Sequence, residues 1–154
     1  MRRLIGLDHG SRRIGVAVGD AETGMAFARA ALRRRNLDAD LRALADLAEA
    51  EGADGFVIGL PLLEDGSEGA QAAAARSFGE LLAQAGRRPV AFTDERWTSW
   101  QAAADLQAAG ERPRRERGEL DSAAARLILQ QYFADLAAHE RAMTHPPNDA
   151  EDPA

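Results

Sequence analysis

The chain contains no cysteine and no lysine. Without cysteine there are no disulfides, no thiolate nucleophile and no cysteine-based zinc site. Without lysine there is neither a P-loop lysine nor a Schiff-base lysine, which sets aside two large enzyme classes. No apolar run approaches the roughly 20 residues of a membrane span, and the opening MRRLIGLDHG turns polar too early for a signal peptide. A cytoplasmic protein with no membrane partner is therefore expected. Histidine is scarce too: His9, His139 and His145 are all there is, which argues against zinc.

What is present is an ordinary globular composition, 45% hydrophobic and 29% charged, over 154 residues. That length favours one domain with a core of its own. The net charge of −6 runs against a generic nucleic-acid binder, which is usually basic. All 19 basic side chains are arginine, and they cluster at Arg2-Arg3, Arg12-Arg13, Arg33 to Arg35, Arg87-Arg88 and Arg112 to Arg117.

Strands are expected over 3–8, 13–19 and 25–32, forming an antiparallel meander. A helix over 38–51 follows, with Asp38 as N-cap and Gly52 as its end. The unbroken apolar run Phe56 to Leu60 reads as a buried parallel strand, and 89–93 as another. Helices are expected from about Ser67 to Ala85, closed by Gly86, and from Thr98 to Ala109 behind a capping box. An arginine-rich loop, 110–118, leads into a long helix ending near Arg141. Residues 142–154 read as a disordered acidic tail, leaving 1–141 as the domain. The order β-β-β-α-β-α-β-α-α fits an α/β, RNase H-like, five-stranded mixed sheet flanked by helices better than a Rossmann sheet.

Three carboxylates stand out. Asp8 ends the first strand, where open α/β sheets place ligand sites; it could equally cap the turn after it. Glu95 follows the last buried strand, and strand alternation lets only one of Asp94 and Glu95 share a face with Asp8; a local ion pair with Arg96 is the competing reading. Asp121 lies in phase with the apolar stripe Ala124, Ala125, Ile128, Leu129, Tyr132 and Leu136, although a helix cap is also open to it. Brought together, three such acids would repel one another and be desolvated unless a cation neutralised them. Carboxylate oxygens suit Mg²⁺ or Mn²⁺.

The same residues carry a family resemblance. Leu7-Asp8-His9-Gly10 with Arg12-Arg13-Ile14-Gly15-Val16-Ala17-Val18 resembles the opening motif of the YqgF/RuvX family. Gly59-Leu60-Pro61-Leu62 with Asp65-Gly66-Ser67, then Asp94-Glu95-Arg96-Trp97-Thr98-Ser99, then Asp121-Ser122-Ala123-Ala124-Ala125 with Ile128-Leu129, resemble its further motifs in order. The resemblance covers residues 4 to 133. It implies an RNase H-like fold related to Holliday-junction resolvases, a nuclease maturing the 5′ end of pre-16S rRNA, and metal ligands at Asp8, Glu95 and Asp121. Ser122 departs from the family's frequent lysine, and Trp97 from a smaller apolar residue.

A site holding two cations about 3.5–4 Å apart would clamp a scissile phosphate. Arg12, Arg13, Arg96, Arg114 and Arg115 are the expected phosphate contacts, and Trp97 and Trp100 could stack on unpaired bases. The expected substrate is structured RNA or branched DNA, with room for a homodimer. A non-catalytic RNA- or DNA-binding factor is the competing function. A nucleotide-handling protein of the actin/hexokinase type, suggested by Asp8-x-Gly10, would need a second domain.

Overall fold

The computed structural model describes residues 2–95 and 119–144. The expected helix from Thr98, the arginine-rich loop, Trp97, Trp100 and the tail beyond 144 lie outside these residues. Among the described residues the elements are β1 (Arg3–His9), β2 (Arg13–Asp20), β3 (Met25–Arg33), α1 (Leu37–Glu51), β4 (Gly55–Leu60), α2 (Ala70–Gly86), β5 (Val90–Asp94) and α3 (Glu119–Thr144). They build one five-stranded sheet in the order β3-β2-β1-β4-β5. The meander β1-β2-β3 is antiparallel, while β4 and β5 add in parallel to β1.

Strand alternation divides the core in two. Ile5, Leu7, Ile14, Val16, Val18, Phe56, Ile58 and Leu60 face α1 and α2, where Leu41, Leu44, Phe78 and Leu82 cover them. Leu4, Ala17, Ala26 and Val57 face α3 and meet Ala125, Ile128, Leu129 and Phe133. Every residue of β4 is buried, because it is parallel-paired on both edges and covered on both faces. Burial of Ile128, Leu129 and Phe133 contributes roughly 1.5–3 kcal/mol each, which is what holds α3 on the sheet. No described helix is long and apolar enough to cross a membrane.

Four helix boundaries differ from the sequence reading, the first three at sites where local contacts are visible. The N-cap of α1 is Asn36, whose Oδ1 accepts the Ala39 N–H at 2.9 Å, so Asp38 falls in the first turn instead. Helix α2 starts at Ala70 rather than Ser67. Ser67 belongs to a tight turn in which Asp65 Oδ1 accepts both its backbone N–H at 2.9 Å and its hydroxyl at 2.6 Å. At the other end of α2, Gly86 is still helical and Arg87 takes the left-handed conformation, with φ 51°. Next to it Arg88 donates to Gly86 O, Ala53 O and Glu49. Helix α3 runs to Thr144, past the expected end at Arg141.

Candidate active site

Asp8 sits near the carboxyl end of β1 on the α3 face, because alternation places it with Leu4 and Gly6 and opposite Ile5 and Leu7. Its antiparallel partner is Gly15. On the other side, one residue beyond the last β1–β4 pair, Leu7 with Ile58, comes Gly59. A β-carbon at Gly59 would lie 2.5 Å from Glu95 Oε2 and 2.5 Å from Ile128 Cδ1. The absent side chain is thus the space through which Glu95, arriving from β5, reaches across β4 toward Asp8. The Glu95 backbone N–H continues the ladder by donating to Leu60 O at 3.1 Å. Glu95 is buried, at 8% exposure, and its neighbour Asp94 is exposed, as alternation requires.

Asp121 comes from the first turn of α3. That helix already begins at Glu119, so Asp121 is not its N-cap. Its backbone carbonyl rests against Gly15, where a β-carbon would collide with it. Ser122 adds a second tie: its hydroxyl, 3% exposed, accepts the Val16 N–H at 3.2 Å. The position where the family often carries lysine is therefore used here to dock helix on strand. Asp121 also lies in the first turn of the helix, where the positive end of the helix dipole favours a negative charge.

The structure brings two of the three acids into contact and leaves the third acting from a distance. Asp8 and Glu95 are hydrogen-bonded, and Asp121 acts on Asp8 through its charge. Burial, and then the Asp121 charge, push Asp8 up to about 6, against the lowering effect of the Glu95 hydrogen bond. Burial, and then the Asp8 charge and hydrogen bond, push Glu95 up to about 9. At neutral pH the pair accordingly holds one proton, carried by Glu95 and donated to Asp8. Among the described residues no three acid or histidine side chains stand close enough to share one metal ion. The donor chemistry nonetheless fits a hard divalent cation: carboxylate oxygens only, in a setting that penalises their negative charge.

A pH dependence follows. Both acids hold protons in the fold that the unfolded chain would already have released. Metal-free stability should fall as pH rises through the window from near 4 to about 9. The slope is at most about 1.4 kcal/mol per pH unit for each withheld proton. Mg²⁺ binds the ionised forms and should flatten the slope. Thermal melts from about pH 5 to 9, with EDTA and with Mg²⁺, measure both; a metal-free midpoint that climbs across that window would contradict the protonated pair.

The other expected contacts divide. Arg12 is exposed and Arg13 half-buried, in the turn closed by Gly10 N–H donating to Arg13 O at 3.0 Å. Arg96, Arg114 and Arg115 lie outside the described residues. His9 points to the opposite face from Asp8, its ring 4.8 Å from that of Phe78 and its Nε2 3.1 Å from Arg34. Arg34 also donates to Gly10 O at 3.1 Å and to buried Asp40 at 3.2 Å. Sequence reasoning passed over that cluster and the two glycines. A glycine interrupting an apolar strand, as in RIGVAVG and FVIGL, was the available signal of close backbone approach.

The family model described as RuvX, Holliday junction resolvase, matches residues 2–135. A Burkholderia ambifaria protein named "Putative pre-16S rRNA nuclease" is 39% identical over 137 residues, 89% of this chain and 92% of that one. A Picosynechococcus protein of the same name is 41% identical over 129 residues, 84% of this chain and 90% of its own. Among solved structures, Thermus thermophilus RuvC in complex with a Holliday junction substrate superposes with a TM-score of 0.58, covering 90% of this chain and 97% of that one. A second structure of Thermus thermophilus RuvC gives 0.55. At 14% identity these two establish a shared RNase H-like fold. With the matched residues running through all three acids, the chain belongs to the RuvX family.

Proposed function

We propose that this protein is a divalent-metal-dependent nuclease that hydrolyses phosphodiester bonds in structured nucleic acid, in 5′-end processing of pre-16S rRNA or in cleavage of branched DNA junctions. The hydrogen-bonded Asp8–Glu95 pair at the carboxyl edge of the sheet, with the Asp121 charge acting on Asp8, carries this reading. The names of the relatives and membership of the RuvX family support it.

Asp8, Glu95 and Asp121 would hold Mg²⁺ or Mn²⁺. Bound there, divalent cations supply an activated water and charge stabilisation for the leaving 3′ oxygen. Asp8, hydrogen-bonded to Glu95 and within reach of the Asp121 charge, would be the ligand common to the site. Glu95 must first give up the proton it shares with Asp8, so metal affinity should rise with pH. Water adds to phosphorus, the bond to the 3′ oxygen breaks, and that oxygen takes up a proton, leaving 5′-phosphate and 3′-hydroxyl ends. Arg12 and Arg13, in the turn just beyond Asp8, supply phosphate contacts.

The test offers the protein labelled pre-16S rRNA fragment, four-way junction and single-stranded DNA, with EDTA, Mg²⁺ or Mn²⁺. Cuts that need the metal and carry 5′-phosphate ends are the expected result, and the preferred substrate decides between the two roles. Binding without cleavage under every metal condition would overturn the enzyme in favour of a non-catalytic binding factor.

A further inference from the structure

On the face of the sheet that carries Asp8, the register beyond it brings two arginines side by side. Asp8 is opposite Gly15 and His9 opposite Ile14. Arg13 is therefore the next residue of β2 on the Gly15 face, roughly 6.6 Å further along the strand. Across the β2–β3 ladder Arg13 stands directly opposite Arg33, one pair beyond Ile14 and Leu32. Ile14 and Leu32 pack into the core under α1 and α2, so both arginines face the other way, toward the acids' side.

Like charges directly opposite one another destabilise an antiparallel ladder, and among the described residues no ion pair neutralises these two. The ion pairs among the described residues use Arg2, Arg29, Arg34, Arg76 and Arg88, and neither Arg13 nor Arg33. Arg34, the one arginine at this corner with an acid partner among the described residues, is committed to Asp40, Gly10 O and His9. Asp40, 2% exposed, also accepts the Arg35 N–H at 3.0 Å. The Arg34 backbone N–H donates to Arg12 O at 2.9 Å. The two strand ends are thus tied together from behind by a buried strut, with the arginine pair held on a fixed frame.

We infer that Arg13 and Arg33 form a two-pronged clamp for a backbone phosphate of the nucleic acid, next along the strand from the phosphate held at the carboxylates; this rests on the nuclease reading. Two guanidinium forks on one phosphate give bidentate recognition without reading a base. An anion between them removes the repulsion that the empty ladder carries.

The test measures binding in EDTA, so that nothing is cut, by fluorescence anisotropy of a labelled single-stranded RNA and a four-way junction across a salt titration. The full-length variants are Arg13→Gln, Arg33→Gln, the double variant, and Arg42→Gln as an exposed arginine on α1. Each clamp variant should weaken binding to both probes about threefold or more and flatten the log–log salt dependence by up to roughly 0.7–0.9, with the double variant losing one phosphate's worth and not two. Arg33→Gln should also raise the melting temperature of the free protein, which Arg42→Gln should not. Clamp variants that bind and melt like Arg42→Gln overturn the clamp. A wild-type protein that binds but never cuts sinks the nuclease reading and leaves the clamp standing. One that binds neither probe overturns both.

Discussion

Replacing Asp8 by asparagine should abolish cleavage while leaving the fold as stable as before or more so. Asparagine keeps the shape of the side chain, and its Oδ1 can still accept the proton that Glu95 donates. What disappears is a half-buried negative charge that burial and Asp121 already disfavour. Removing it lifts a repulsion, so the metal-free variant should melt at or above the wild-type temperature near pH 8. The amide cannot supply an anionic oxygen to a hard cation, and Asp8 is the acid that is hydrogen-bonded to Glu95 and feels the Asp121 charge. The loss in kcat should therefore exceed the 10–100-fold that follows removal of a group one layer further from a metal. The stabilisation that Mg²⁺ confers on the wild type should be lost with it. Single-turnover cleavage and melting with and without Mg²⁺ read the two effects separately. A variant that cuts within tenfold of the wild type would show that Asp8 is not the central ligand.

Much of this candidate site is legible in the sequence, for reasons particular residues make plain. Strand polarity is written in short-range patterns: LIGLD and the FVIGL run announce strands, the first ending one residue beyond Asp8 and the second at Leu60. Alternation then lets only one of Asp94 and Glu95 share a face with Asp8, since neighbouring side chains on a strand face opposite ways, and the family resemblance points to Glu95. The helical period puts Asp121 on the stripe of Ile128 and Leu129, both of which prove fully buried. Local chemistry was harder to assign where two residues competed for one job. Asn36 and Asp38 are both good caps, and the one two residues earlier won. Ser67 looks like a helix start, but Asp65 holds it in a turn. What the sequence withheld is contact between segments far apart in the chain. Nothing near Gly59 says that its missing side chain is where a glutamate 36 positions later must pass. Asp40 reads as one more acid in an acidic first turn, yet it is buried and anchors Arg34 and Arg35. These are properties of the register and of helix placement, which no window of sequence contains.

The same point yields the second large effect, at Gly15. The first turn of α3 approaches β2 so closely that a single added methyl at Gly15 falls on the Asp121 carbonyl and within 2.8 Å of the Ser122 N. Both obstacles are backbone, so no rotamer change relieves the overlap, and the helix start must lift off the sheet. That displacement breaks the Ser122–Val16 hydrogen bond and carries Asp121 away from Asp8. Overpacking of this kind costs typically 1–3 kcal/mol, and a shift of about 1 Å at the reacting groups can cost a hundredfold in rate. Gly15→Ala should therefore lose both stability and cleavage. Phe133→Leu provides the comparison: it thins the packing of the same helix against the sheet about 18 Å from Asp121, so it should cost stability and spare cleavage. Denaturant midpoints and cleavage rates for the two variants separate a weakened helix from a misplaced acid. Should Gly15→Ala cleave as fast as Phe133→Leu at matched stability, the close docking of this turn would not be what places Asp121, and the third acid would need another anchor.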